Sequence, residues 1–243
     1  MRRNTMEQRR VLVIGASGDV GRGIVGAVLA KGWAAVAAGR SREHLASIFP
    51  PRDGLTLVEG SLSTEASTAA LWQAATAAGG PIDAIAVSVN APMRVARLDD
   101  WSAEDMAELF AANLLTHFNA VKILHPLLGA DGVFIGIGGG TADIILPDLA
   151  PISVPMAGLR MLYRGFARER KGGPHLRELM VLSMVNGASK RDQAQPEWLT
   201  DEEVGRHVCA IIASPDQFPG PILKVRSREQ VGQPEPAEGN TRS

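Results

Sequence analysis

Short unbroken apolar runs alternate along the chain with longer stretches whose apolar residues return at helical spacing. The runs RVLVIG (10–15), AAVAAG (34–39), LTLVEG (55–60), DAIAVSV (83–89), GVFIGIG (132–138), LMVLSMV (179–185) and PILKV (221–225) predict strands. Most are apolar at successive positions, the pattern of strands covered on both faces. The segments between them are mostly of helix length and rich in Ala and Leu. Alternation of strand and helix predicts an α/β fold with a parallel, doubly wound sheet in three α/β/α layers and right-handed crossovers. No internal repeat is visible, and no linker divides the chain before residue 227. A single domain is expected over 10–226, after a flexible N-terminus at 1–9. The polar stretch SREQVGQPEPAEGNTRS (227–243), rich in Pro, Gly and Glu, reads as a disordered tail.

Composition narrows the function classes. The chain has 243 residues and is 45% apolar, enough for one sizeable core. Its 25 basic and 26 acidic residues leave a formal net charge of −1, which offers no electrostatic reason to expect nucleic acid or an anionic membrane. The basic start MRRNTMEQRR is followed only by VLVIG, too short for the apolar part of a signal peptide. No stretch reaches the apolar length of a membrane span. The one cysteine, Cys209, excludes an internal disulfide, so a reducing cytoplasm is expected. His44, His125, His175 and His207 are dispersed without metal-ligand spacing, and no metal site is expected.

The first candidate chemistry lies in VIGASGDVGRGIVGAVLAKG, where Gly15, Gly18 and Gly21 fall between the first strand and the first helix. In that context Gly15 permits a tight turn, Gly18 lets a diphosphate approach the backbone, and Gly21 lets the helix pack closely. The helix start offers N–H groups and the positive end of the dipole to an anion. The bland alternative is a tight strand–helix turn with no ligand. At the end of the second strand an acidic residue would select the ribose of NAD. The sequence instead reads AAGRSRE, with Arg40 and Arg42. A guanidinium suits a 2′-phosphate, which favours NADP(H) over NAD(H). A solvated arginine at a helix start is the alternative.

These segments, taken in order, resemble the short-chain dehydrogenase/reductase family over about residues 10–226. GASGDVG resembles the family's cofactor loop in the G-x-x-G-x-x-G spacing of atypical members. GSLST (60–64) resembles the turn after the third strand, with Ser61 where an Asp usually contacts the adenine. VNAP (89–92) resembles the Asn-Ala-Gly turn, with Pro92 in place of Gly. FAANLLTHFNAVKILHPLL (110–128) resembles the long interface helix, and Asn113 falls on its catalytic Asn. The resemblance implies a Rossmann-type fold. It implies cofactor contacts from Gly15, Ser17, Gly18, Asp19, Val20, Gly21, Arg40, Ser61, Leu62, Asn90 and Ala91. It also implies a homodimer or homotetramer built on the helices that hold Asn113 and Met156.

GVFIGIGGGTAD (132–143) resembles the fifth strand and its active-site loop. The family's Ser-Tyr-Lys set, carried over by spacing and by the helix MAGLRMLYRGFARE, falls on Gly139, Ile152 and Met156. In the family the Tyr moves the proton, the Lys lowers the Tyr pKa, and the Ser steadies the substrate oxygen. None of the three residues here can do so. Tyr163 lies eleven residues beyond Ile152, about 16 Å along a helix, and reads as packing. Ser153 points to another face of the helix. Thr141, Asp143, His117, Asn186 and Lys190 are the polar candidates near the site, each with an ordinary structural role as the alternative. Arg94, after Met93, either holds an anion or is solvated. Gly138, Gly139 and Gly140 opposite Ile152 and Met156 suggest a roomy apolar pocket for a hydrophobic small molecule.

The expected function is a divergent NADP(H)-dependent oxidoreductase acting without the usual catalytic set. A non-redox enzyme of this fold (an elimination, isomerisation or cyclisation) and a catalytically inactive cofactor-binding or scaffold protein stay open as alternatives.

Overall fold

The apolar runs become the strands β1 (Arg10–Ile14), β2 (Ala34–Gly39), β3 (Leu55–Glu59), β4 (Ala84–Val87), β5 (Val133–Gly139) and β6 (His175–Val181). A short parallel pair follows, β7 (Val185–Asn186) with β8 (Leu199–Thr200), and then β9 (Ile222–Val225). The computed structural model describes residues 8–91, 94–170 and 172–234. The expectations for residues 1–7, Pro92, Met93 and 235–243 lie outside the described residues. Seven strands form one parallel sheet in the order β3-β2-β1-β4-β5-β6-β9. The order reverses between β1 and β4, which opens a crevice at the carboxyl ends of the strands.

The helices are α1 (Asp19–Ala30), α2 (Arg42–Ile48), α3 (Glu65–Ala77), α4 (Ala103–Phe110), α5 (Thr116–Leu124), α6 (Ala150–Glu169) and α7 (Asp201–Ala213). Side-chain caps set several of their starts. Ser41 caps α2, Thr64 and Ser67 form a capping box on α3, and Ser102 with Asp105 and Thr200 with Glu203 do the same for α4 and α7. One sheet face packs on α1, α2 and α7 through residues such as Ile24, Leu45 and Val208. The other packs on α3, α5 and α6 through Leu71, Leu124 and Leu159. Burial on both faces explains why the strands read as continuous apolar runs. A π-turn over Ala111–Leu115 joins α4 to α5 and carries the buried Asn113. Pro155 sits inside α6 and removes the N–H that would serve the carbonyl of Pro151.

The sixth strand departs from expectation. It starts at His175 and ends at Val181 rather than running from 179 to 185. Polar HLRE hides its first half. Arg177 ties its guanidinium to the carbonyls of Phe218 and Leu176, and Glu178 is fully buried. Two glycines of β5 explain how the sheet face accepts such neighbours. A Cβ on Gly136 would collide with the Tyr163 hydroxyl, and one on Gly138 with the Glu178 carboxylate. The space that the sequence assigns to a roomy pocket at Gly138 is therefore filled from within the core.

The expected tail is also corrected over 227–234. Arg228–Gln230 form a 3-10 turn, the Arg228 Nε donates to Glu203 at 3.0 Å, and the Gly232 N–H donates to His207 Nδ1 at 3.0 Å. Val231 packs partly buried against the core. Specific contacts to α7 outweigh the disorder-like composition of this segment.

Gly136→Ala and Gly138→Ala are each expected to destabilise the fold by about 1–3 kcal/mol through overpacking. A Cβ on Gly139 would meet only Thr141 Oγ1, at 3.8 Å, so Gly139→Ala is expected to change stability by less than about 0.5 kcal/mol. Urea unfolding of the three variants measures the difference.

Candidate functional site

The β1–α1 turn is held from below. The N–H groups of Gly15 and Ala16 both donate to the carbonyl of Ala38, at 3.0 and 3.1 Å, and Ser88 N–H donates to Ile14 O at 2.8 Å. Gly15 has φ +83, and a Cβ there would collide with the Ser88 carbonyl, so only glycine suits this position. Gly21 lies against the Gly15–Ala16 backbone, which brings α1 close to the strand. Arg22 Nε donates to the Ser17 carbonyl at 2.9 Å and braces the loop. Gly18 is the N-cap of α1 and supplies no side-chain cap. The first-turn N–H groups of α1, including that of Val20, thus have no side-chain cap at the positive end of the helix, as an anion site requires. Asp19 begins that helix, and its carboxylate accepts from the N–H of Ser189 at 2.9 Å and from the Ser189 hydroxyl.

The two arginines after β2 separate in the structure. Arg42 Nη1 donates to Leu57 O at 3.0 Å, and its N–H donates to Glu59 Oε2 at 3.1 Å. Arg40 is exposed and forms no ion pair among the described residues. Beyond β3, the Ser61 hydroxyl is taken up by Ser63, while Leu62 is buried and its carbonyl accepts from Asn119 Nδ2 at 2.8 Å. Asn119 thus locks this turn across 57 residues of sequence, a role the sequence reading missed. Its position on the buried face of α5 was the available signal.

The turn after β4 is fixed in the same way. Asn113 Oδ1 accepts from Ala91 N–H at 3.0 Å, and its Nδ2 donates to Leu109 O at 2.9 Å. Both polar ends of Asn113 therefore serve the backbone. Asn90 beside it is exposed. Below the turn, His117 approaches the Val89 carbonyl at 3.3 Å through Nε2 and the Tyr163 hydroxyl at 3.0 Å through Nδ1. Burial lowers the His117 pKa to about 4 and raises that of Tyr163 well above its usual value, so both are neutral at pH 7. They form a satisfied buried pair rather than an acid–base pair facing the crevice.

Gly139 closes β5, Ile152 lies half-buried in the first turns of α6, and Met156 is 3% exposed within the apolar cluster. Ser153 donates to Leu149 O at 3.3 Å. Asp143 is paired with Arg160 and, at 3.5 Å, with Lys224, which ties the loop after β5 to α6 and β9. Thr141 stands in the 3-10 turn Gly140–Ala142 between them. Arg94 pairs with Asp105 at 3.1 Å and stacks 4.7 Å from the Trp101 ring centroid. Asn186 pairs through its backbone with Thr200 in the small sheet, and its side-chain oxygen is buried without a partner. Lys190 N–H closes a turn onto Gly187 O. A depression of about 870 Å³ lies at the opposite, amino end of the strands, lined by residues such as Arg10, Gly54 and Gly132, away from all these groups.

Glu178 is the functional-looking group that sequence reasoning passed over. It is fully buried, and neither carboxylate oxygen has a hydrogen-bond partner. Burial pushes its pKa up to about 7 against the opposing charge of Arg160. The signal for it was the Gly-x-Gly pattern of β5, which leaves room on the neighbouring strand.

A sequence model described as short chain dehydrogenase matches residues 9–172. Curated proteins yield no significant match. Among solved structures, the chain is similar to a gluconate 5-dehydrogenase from Burkholderia cenocepacia in complex with NADP and tartrate. Identity is 21% and TM-score 0.74, covering 90% of this chain and 94% of that one. It is similar as well to an alcohol dehydrogenase from the archaeon Thermococcus sibiricus complexed with 5-hydroxy-NADP. Here identity is 19% and TM-score 0.75, with 91% and 97% of the two chains covered. A closed serine dehydrogenase complexed with NADP+ aligns at 18% identity and TM-score 0.78, over 89% of this chain and 94% of the other.

Because the Glu178 pKa is higher in the fold than in the open chain, its contribution to stability is full below about 4.5 and is lost as pH rises through about 7. Between those limits the loss is expected to reach roughly 3 kcal/mol. Glu178→Gln is expected to flatten that part of the stability–pH curve, measured by urea unfolding at pH values from about 4.5 to about 8.

Proposed function

The chain belongs to the short-chain dehydrogenase family, and we propose that it is an NADP(H)-binding oxidoreductase acting on a hydrophobic small molecule without the family's Ser-Tyr-Lys set. The observation that carries this reading is the uncapped start of α1 behind Gly15, with exposed Arg40 at the end of the neighbouring strand. The residues present fit a dinucleotide. The glycine turn leaves backbone where a Cβ would otherwise stand, and the first-turn N–H groups of α1 suit a diphosphate. The Arg40 guanidinium suits a 2′-phosphate, and the loop bearing Ser61 and Leu62 is held in shape for the adenine end. When bound, the nicotinamide supplies or accepts a hydride.

The remaining work falls to this chain's own residues. Asn113 holds the Asn90–Ala91 turn in place through the Ala91 N–H. Ile152 and Met156 present hydrocarbon and thioether where the family places a phenol and an ammonium, and they exclude water from α6. Gly139 offers no hydroxyl to a substrate oxygen. A side chain that gives the proton is thus absent from these three positions, and positioning becomes the main contribution to rate. Substrates whose reduction needs little proton help, or takes the proton from water, suit such a site. A homodimer or homotetramer fits the exposed apolar residues Leu115 on the π-turn and Val154 and Met161 on α6. Among the described residues no helix is long and apolar enough to cross a membrane. A cytoplasmic location accords with the single cysteine, which is buried and free.

Arg40→Ala is expected to weaken NADPH binding by about tenfold or more while leaving NADH within about twofold, followed by quenching of tryptophan fluorescence. Equal losses for the two cofactors would remove the NADP assignment. Oxidation of bound NADPH by a panel of ketones and enones tests redox turnover directly. Product formed without any change in nicotinamide absorbance would favour the non-redox alternative. Binding without product would favour a sensor or scaffold. Ser, Tyr and Lys placed together at Gly139, Ile152 and Met156 are expected to create ordinary ketone reduction.

A further inference from the structure

Asp19 is joined to a segment 170 residues away in sequence, the loop that follows β6. Its carboxylate accepts from both the N–H and the hydroxyl of Ser189. Gly187 lies so close that a Cβ on it would collide with the Asp19 side chain. The loop is therefore seated directly on the first turn of α1. Asn186, just before it, keeps its side-chain oxygen buried without a donor in this arrangement. A second carboxylate, Asp201, has its pKa raised chiefly by burial, with the charges of Glu202 and Asp19 adding to the rise and that of Arg191 opposing it. The loop is thus seated on the first residue of α1, beside the glycine turn, with one buried acceptor left unserved.

We propose that Asp19 is a latch: it ties the loop after β6 to the first turn of α1, beside the glycine-rich turn, and a dinucleotide binds only when that tie opens. This rests on the cofactor reading above. The physical reason is competition at one helix end. The positive end of α1 favours one anion, and a diphosphate brought there meets the Asp19 carboxylate in the same turn. Two charge-assisted hydrogen bonds and the Gly187 contact hold the loop down in the meantime. The open state is then a minor population, and the apparent affinity falls by the fraction that is open. The polar, exposed surroundings of Ser189 keep the tie weak enough to break.

The test uses the full chain with Asp19→Asn, Ser189→Ala and Ser189→Thr. Without cofactor, trypsin cleavage at Lys190 and Arg191 is expected to quicken about tenfold in Asp19→Asn and Ser189→Ala, because cleavage follows the open fraction. Ser189→Thr keeps the hydroxyl and is expected to match the unaltered protein. NADPH is expected to bind about tenfold more tightly to Asp19→Asn, with a faster association rate. Unchanged cleavage in both Asp19→Asn and Ser189→Ala overturns the tie. NADPH binding that is unchanged or weaker in Asp19→Asn, in a protein that does bind NADPH, overturns the inference and leaves the cofactor reading standing. No NADPH binding by any of the four proteins overturns the cofactor reading, and the inference with it. The cleavage rates then still report whether the loop is held.

Discussion

The face of β5 turned toward α6 has no side chain at Gly136 or Gly138, and the phenol of Tyr163 and the carboxyl of Glu178 fill that space. This close approach decides how the carboxyl end of the sheet is built. It sets α6 at a fixed distance from β5 and lets β6 carry an ionisable residue inside the core. It also anchors the His117–Tyr163 pair that runs under the β4 turn. Interiors packed to crystal-like density leave no slack for such contacts, so either glycine and its large neighbour act as one unit.

The consequence for chemistry is that polar groups near the crevice are already engaged. Asn113 holds a turn, Asp143 holds a loop, His117 and Tyr163 satisfy each other, and Asp19 holds Ser189. Glu178 and the Asn186 side-chain oxygen are left unserved, and burial suppresses the charge of Glu178. The start of α1 has no side-chain cap, and Arg40 is exposed. Such a site offers backbone donors rather than side-chain acids and bases, the combination on which the proposed function rests.

The loop after β6 links these two aspects. Its first residues lie against α1 through Gly187 and Ser189, and its end begins α7 at the Thr200–Glu203 capping box. Between those ends it carries the 3-10 turn Arg191–Gln193 and the short strand β8. Its contacts thus join the first turn of α1 to the surroundings of Asn186 and the carboxyl end of β6.

Six of the strands, the helix order and the glycine turn were legible in the chain because burial on both sheet faces writes itself as unbroken apolar runs, and a strand–helix turn demands glycine at Gly15. The two arginines after β2 were alike in the sequence, and only the fold separates Arg42, tied to Leu57 and Glu59, from the exposed Arg40. The start of β6 was not legible, since His175, Arg177 and Glu178 look like a loop until Gly138 on the adjacent strand is seen to make room. Nor were the partners of Asn119, Asp19 and Tyr163 visible, because each acts across 46 residues or more. Sequence by itself determined periodicity, local turns and which chemical groups the chain possesses. Tertiary structure alone decided which of those groups are left over, because a hydrogen bond or a filled cavity between distant segments leaves no periodic trace in either one.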